Sequence, residues 1–337
     1  MKNMMGKTET FLVCVRCMTY NHEHYIIDAL NGFVMQQTSF PFVCTIIDDA
    51  STDRNVEVIR NFVSENFDLQ DTSIAYEKDM DYGHVTFARH KTNENCYFAV
   101  IYLKENHYSQ KKPKAPYIKE WTDNVKYIAL CEGDDYWTDP LKLQKQVEFM
   151  EDYPDYSMCF HKVKVLCNDK ENWIFSDVKE GDYSAREIYD KWTVPTCSVL
   201  YRRGKPFETN PNIIYGDIFL YLQLAERGKL HCLDFVGGVY RRHEGSASCG
   251  YSLQSCIRLY HQFRFMEKRF PEVKDISRRE QEEQGLLGII NAPYFRGIWK
   301  YRFYYMFRHP RLFFSSFFTT TLLSYTYLGR LFTRKSL

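Results

Sequence analysis

The sequence of 337 residues has almost no net charge: Lys and Arg number 44, Asp and Glu 43. A dedicated nucleic-acid binder carries a basic excess, so that class is excluded. The motifs GxxxxGK[ST], GxGxxG, HExxH and GxSxG are all missing. That removes P-loop, dinucleotide-binding, zincin and serine-hydrolase readings. The opening MKNMMGKTET lacks an apolar core, so no secretory leader is expected in it. The 11 cysteines are odd in number and scattered singly, unlike those of a disulfide-stapled scaffold. A reducing cytoplasm is expected, with the thiols acting as small buried hydrophobes. Cys14 and Cys17 form a CxxC inside the apolar run Phe11–Cys17. Strand positions three apart face opposite sides, so the pair is not expected to clamp a metal. Acidic residues also stop at Glu283: residues 1–283 carry a net −7, whereas the last 54 carry eight basic side chains and no acid.

What is present is an ordinary folded composition, 45% hydrophobic and 26% charged, of a length for one large or two small domains. Hydrophobic periodicity alternates between strand and helix. Strands are expected at Phe11–Cys17, Phe42–Ile47, Ser73–Tyr76, Tyr127–Cys131 and Tyr156–Val165, and helices at His24–Gln36, Asp53–Asn66 and Pro140–Glu151. Strands separated by helices of this length imply an α/β fold with a mostly parallel sheet flanked by helices. In such sheets the ligand lies beyond the C-terminal strand ends. Those ends carry Thr19-Tyr20-Asn21, Asp48-Asp49-Ala50-Ser51-Thr52-Asp53 and Glu132-Gly133-Asp134-Asp135.

Ser51 or Asp53 can cap the helix that follows. A second adjacent aspartate needs another reason, and Asp48 or Asp49 could accept a nucleobase N–H or a ribose hydroxyl. Glu132, Asp134 and Asp135 place three carboxylates in four residues, where like charges repel. A hard divalent cation, Mn²⁺ or Mg²⁺, would relieve this, with substrate phosphates completing its shell.

Phe11–Asp53 resembles the N-terminal signature of family 2 glycosyltransferases of the GT-A fold. The matching elements are Thr19-Tyr20-Asn21, Ala29-Leu30, Gln36-Gln37 and Asp48-Asp49-Ala50-Ser51-Thr52-Asp53. Further on, Gly83 with Ala88-Arg89 is similar to the family's G-x(n)-A-R element, and Glu132-Gly133-Asp134-Asp135 to its DxD-type metal motif. Tyr215-Gly216-Asp217 resembles the ED element of the catalytic base, with Gly216 where Glu is common. Tyr240-Arg241-Arg242-His243 with Ser246 and Ser248 resembles the YRxHxxS ending. The likeness covers residues 10–250. The stretch Thr92–Lys126, with the basic Lys111-Lys112-Pro113-Lys114 as an exposed loop, is longer than the family's usual link and is expected to be an inert insertion, a cover over the donor being the alternative.

The resemblance implies a GT-A catalytic domain over 1–250, with 10–135 the nucleotide-binding half and 136–250 the acceptor half. It implies metal-dependent, inverting transfer from a nucleotide-diphosphate sugar, a UDP sugar being expected, to a saccharide or lipid-linked saccharide hydroxyl in surface polysaccharide synthesis. Asp217 is implied as the general base. Thr19, Tyr20, Asn21, Asp48, Asp49, Arg89, Glu132, Asp134, Arg241 and Arg242 would bind the donor. Asp134, Glu132, Asp135 and His243 would hold the cation, and Trp137, Thr196 and Ser198 would face the acceptor. A nucleotidyltransferase and a non-catalytic nucleotide-sugar-binding module are the alternatives.

Residues 251–337 are expected to form a helical region that docks on an anionic membrane surface. In Asn291–Leu337, aromatic and aliphatic residues alternate with Arg and Lys, the pattern of an interfacial helix. Leu312–Gly329 is uncharged but rich in Ser, Thr and Tyr, short of the roughly 20 apolar residues of a span. Peripheral association with the inner face of the cell membrane is the expected location.

Overall fold

The computed structural model describes residues 10–172, 174–243, 253–282, 307 and 310. Its contacts divide into two units, Met1–Phe207 with Leu220–Ser246, and Glu208–Phe219 with Ala247–Leu337.

The first unit is built on a 13-stranded sheet. Its strands are β1 (Val13–Thr19), β2 (Phe42–Asp48), β3 (Phe67–Asp68), β4 (Tyr76–Met80), β5 (Gly83–His90), β6 (Cys96–Leu103), β7 (Tyr127–Leu130), β8 (Tyr136–Trp137), β9 (Tyr156–Cys167), β10 (Lys170–Asn172), β11 (Gly181–Tyr183), β12 (Leu200–Arg202) and β13 (Lys229–Arg242). The order is β11-β13-β9-β12-β7-β1-β2-β6-β5-β3, with β10 on β9, β4 on β5 and β8 on β13. The centre, β7-β1-β2-β6, is parallel. Every residue of β2 and β6 is buried, as expected of parallel strands covered on both faces.

Outside this centre the sheet is mixed. β5 runs antiparallel to β6, because residues 91–95 are too few for the crossover a parallel partner requires. β12 is antiparallel to both β7 and β9, whereas β9 and β13 are parallel. The segment Thr92–Lys126 is therefore not a simple insertion. Its run CYFAVIYL is β6, a central strand, and only residues 104–126 form a connection, with a 3-10 turn at Ala115–Ile118 and a helix α3 (Lys119–Thr122). The strand expected at Ser73–Tyr76 starts instead at Tyr76, as the exposed β4 arm of a hairpin with β5.

Preceding and following α3 are helices α1 (Ile26–Val34), α2 (Asn55–Asn66), α4 (Lys142–Asp152) and α5 (Ala185–Lys191). α1 buries Ile26, Ala29, Leu30 and Phe33, one face at helical spacing. Gly32 lets that helix touch β8: a Cβ there would lie 2.9 Å from the Trp137 backbone nitrogen. Burying each large side chain of this core contributes about 1.5–3 kcal/mol. Gln36 is fully buried yet satisfied. Its amide donates to the Gly32 and Asp139 carbonyls and accepts the Leu143 N–H, tying the end of α1 to α4. The ten described cysteines are unpaired, and all but Cys167 are buried.

Helix α6 (Gly216–Ala225) begins in the second unit, which also holds α7 (Leu253–Arg269) and α8 (Lys274–Glu280). Phe219 meets Phe265 and Phe270 edge-on there. Ser246, Ser248 and the uncharged run Leu312–Gly329 lie outside the described residues, as does Asn291–Leu337 apart from two positions. Among the described residues no helix is long and apolar enough to cross a membrane.

Candidate metal and donor site

The loops after β1 and β2 are laced together at the C-terminal edge of the parallel strands. Asn21, in the left-handed region at φ 56°, donates its N–H to Ser51 Oγ at 2.9 Å and accepts the Thr52 N–H at 2.7 Å. Asp53 accepts the Glu23 N–H, and Glu23 in turn accepts the Arg54 N–H. Asp48 is fully buried and takes the Ser51 N–H, the Ser51 hydroxyl and the Asn55 amide. The same Asn55 amide reaches Thr19 Oγ1. This lacing leaves the Tyr20 ring 42% exposed at the edge.

The turn after β7 lies against the end of β1, where the Gly133 N–H donates to the Met18 carbonyl at 2.9 Å. A Cβ on Gly133 would sit 2.7 Å from the Thr19 side chain and 3.0 Å from His22 Nδ1, so the approach requires glycine. His22 comes from the loop after β1, and His243 from the end of β13. His243 Nε2 lies 3.2 Å from Asp134 Oδ2, and His22 Nε2 lies 4.0 Å from the same oxygen. One ligand atom from each of the three residues falls within 4.8 Å of the others.

Burial works to raise the Asp134 carboxyl, but the hydrogen bond from His243 and the charge of His22 hold it below its ordinary range. Burial lowers His22 below its ordinary value, against the pull of Asp134, which favours the lone pair a metal needs. The buried Nδ1 of His22 has no hydrogen-bond partner. Carboxylate suits Mg²⁺ and Mn²⁺, and imidazole suits the first-row transition metals. Two imidazoles and one carboxylate thus fit a divalent cation.

A family model for glycosyl transferase family 2 matches residues 14–207, which include all three strand-end clusters. The chain belongs to glycosyl transferase family 2. The fold is an α/β sheet flanked by helices, as the GT-A resemblance implied, with a parallel centre inside a mixed sheet where a mostly parallel one was expected. An uncharacterized Mycobacterium tuberculosis protein, Rv1520, is 32% identical over 232 residues. That match covers 67% of this chain but only 57% of the relative's length. Among solved structures, S. aureus TarS 1–349 in complex with UDP is 15% identical, over 83% of this chain and 80% of that one, with a TM-score of 0.49. The mannosyltransferase PcManGT from Pyrobaculum calidifontis, in complex with GDP-Man and Mn²⁺, is 14% identical over 94% and 85%, with a TM-score of 0.48.

In this family 2 chain the remaining expected site residues part company. Glu132 is exposed on the turn after β7. Asp135 turns inward and accepts the Arg241 N–H, and its carboxyl is pushed well above the ordinary range by burial and by the charge of Asp134. It ties the turn after β7 to β13. Arg241 is also engaged: its guanidinium donates to Asp28 and to the Asp134 carbonyl, and lies 4.2 Å from the Tyr136 ring centroid. Arg242 follows it on β13, paired with Cys167 of β9.

Trp137 is core, 2% exposed, with its indole N–H given to the Cys197 carbonyl. Ser198 is fully buried, its hydroxyl bonded to the Pro195 carbonyl, and Thr196 opens the short 3-10 turn beside it. Arg89 is paired with Tyr97, and Asp48 with Tyr102. Arg89 therefore stands about 16 Å along the strands from the Asp48 edge, at roughly 3.3 Å per residue. Asp217 belongs to the second unit, at the start of α6, where its carboxylate accepts the Ile218 N–H. The Ile214 and Tyr215 N–H groups just before it are both held by Gln262. The sequence reading passed over His22. The signal for His22 was available, since it directly follows the Thr19-Tyr20-Asn21 motif.

Proposed function

We propose that this chain is a metal-dependent, inverting glycosyltransferase using a nucleotide-diphosphate sugar, UDP-linked in our reading. The acceptor is a hydroxyl of a saccharide or lipid-linked saccharide. The observation that carries the reading is the convergence of His22, Asp134 and His243 at the C-terminal edge of the parallel strands in a family 2 chain. A divalent cation held by these three residues would neutralise the charge that builds on the leaving nucleoside diphosphate. Mn²⁺ suits this donor set better than Mg²⁺, because two of the three donors are imidazole nitrogens.

Asp217 takes the proton of the attacking hydroxyl in this reading. It opens α6, whose apolar residues Ile218, Leu222 and Leu224 are buried and give a rigid mount. Tyr20, left exposed by the loop lacing, flanks the base. Asp135, Arg241 and Asp28 hold the metal turn against β13 and α1, where they orient Asp134. The excess of eight basic residues after Glu283, set among aromatics, supports docking on an anionic bilayer, next to a lipid-linked acceptor.

Nucleotide-sugar binding is tested by thermal shift with UDP- and GDP-sugars, with and without Mn²⁺. Stabilisation that requires both donor and cation is expected; no stabilisation by any nucleotide sugar would overturn the reading. In turnover, nucleoside diphosphate release should vanish in Asp134→Ala and Asp217→Asn. Full transfer by Asp217→Asn would remove Asp217 as the base, and release of pyrophosphate from a nucleoside triphosphate would make the chain a nucleotidyltransferase.

A further inference from the structure

The connection after β6 is fastened to Asp49, and the fastening consumes the carboxylate. Asp49 is 4% exposed. Its Oδ1 accepts the His107 N–H at 2.8 Å, and its Oδ2 accepts the Tyr108 N–H at 3.0 Å and the Lys114 ammonium at 2.9 Å. Its carbonyl takes the Asn106 amide, and its own N–H goes to the Thr19 carbonyl. A carboxylate offers about four acceptor sites, so three are filled from within the protein. Direct reading of a base by Asp49 is thereby curtailed.

The segment so held is rigid at both ends. Asn106 accepts the Ser109 N–H, the His107 carbonyl accepts the Lys112 N–H, and Tyr117 stacks on Tyr82 at 4.0 Å between centroids. What it presents is a ring and a cation. Tyr108 is 67% exposed, and Lys114 lies 5.7 Å from its ring centroid with one of three donors given to Asp49. Tyr108 gives its N–H to the Asp49 carboxylate, and Tyr20 follows Thr19, whose carbonyl takes the Asp49 N–H. A planar base with an anionic tail matches an aromatic face beside an ammonium.

We propose that residues 105–114 form a fixed wall of the donor-nucleotide site, with Lys114 and Tyr108 as contact residues and Asp49 as the positioning residue that holds them. This rests on the reading that this edge of the sheet binds a nucleoside diphosphate. It places the cation beside the base on Lys114 and not on Arg89.

Calorimetric titration of the full chain with UDP, and in parallel GDP, in Mn²⁺ tests it. Lys114→Met should weaken binding about tenfold or more, and Lys114→Arg should recover most of that. Tyr108→Ala should weaken binding about fivefold or more, and melting temperatures should stay within about 3 °C of the unaltered chain. In the unaltered chain, UDP should protect Lys114 from amine acylation, read by mass spectrometry. Binding that ignores both substitutions, with Lys114 equally acylated with and without UDP, would overturn the inference alone. Absence of UDP and GDP binding by the unaltered chain would overturn the functional reading and this inference with it.

Discussion

The backbone N–H of Arg241 donates to Asp135 Oδ1 at 2.8 Å. This bond joins the turn after β7 to the end of β13, and so brings His243 to Asp134. Adjacent aspartates in one motif thereby do different work. Asp135→Ala should leave the Arg241 N–H without its acceptor and cost about 1–3 kcal/mol in denaturant unfolding. Asp135→Asn keeps an acceptor oxygen and should fold normally at pH 7. Asp134→Asn should leave the metal-free melting temperature within about 3 °C of the unaltered chain and abolish Mn²⁺ binding. Equal effects at both positions would contradict this division.

His22 should matter to metal affinity as much as His243 does. His22→Ala and His243→Ala should each weaken Mn²⁺ binding by about 10- to 100-fold, by analogy with the loss of groups that support a metal site. Titration followed by the Mn²⁺ electron paramagnetic resonance signal reads this without any turnover. Affinity for Mg²⁺ should respond less, because Mg²⁺ relies on oxygen ligands and water. Gly133→Ala should mimic the His22 change by pushing the His22 ring away.

Trp137 tests core against acceptor pocket. Its ring meets Phe33 at 5.0 Å between centroids, and its N–H is satisfied inside the protein. Trp137→Ala should cost about 3–5 kcal/mol of stability. A variant that kept its stability and lost only acceptor affinity would place Trp137 at the surface after all.

Lys142 gives a pH dependence. It is fully buried near the start of α4, its ammonium has no hydrogen-bond partner, and it lies 3.7 Å from the Trp137 ring centroid. Burial pushes its pKa down to about 7. An unfolded lysine titrates near 10.4. Between about pH 7 and 10 the unfolded chain therefore binds a proton that the folded chain lacks, and this group's contribution to stability rises with pH. Lys142→Met should stabilise the protein at pH 7, on the order of 4 kcal/mol at most. The gain should shrink towards pH 10 in melting experiments. A pH-independent gain would mean that the folded lysine keeps its charge.

Much of the parallel half of the fold was legible. β1, β2, β7, α1, α2 and α4 each carry a strong apolar period, and their strand ends carry the motifs that placed the chain in its family. The antiparallel half was harder, because β4, β8, β11 and β12 have five residues or fewer and all but β4 pair with partners distant in sequence. β6 was readable as an eight-residue apolar run, but the motif spacing drew attention to the A-R element instead. Arg89 shows the cost of that. Its neighbours in sequence match a motif, yet hairpin pairing carries it to the far end of the sheet.

The amino-acid sequence by itself determined the family, three of the four central parallel strands and which strand ends are acidic, because these follow from local periodicity and short ordered motifs. Tertiary structure decided which carboxylates are free. Asp48, Asp49 and Asp135 read as a charged cluster along the chain. In the fold they are bonded to Ser51 and Asn55, to the 105–114 segment, and to Arg241. The physical reason is that a buried carboxylate must find donors, and those donors come from segments up to 106 residues away. Only Asp134 of the group is left facing two imidazoles, and no property of its immediate neighbours marks it out.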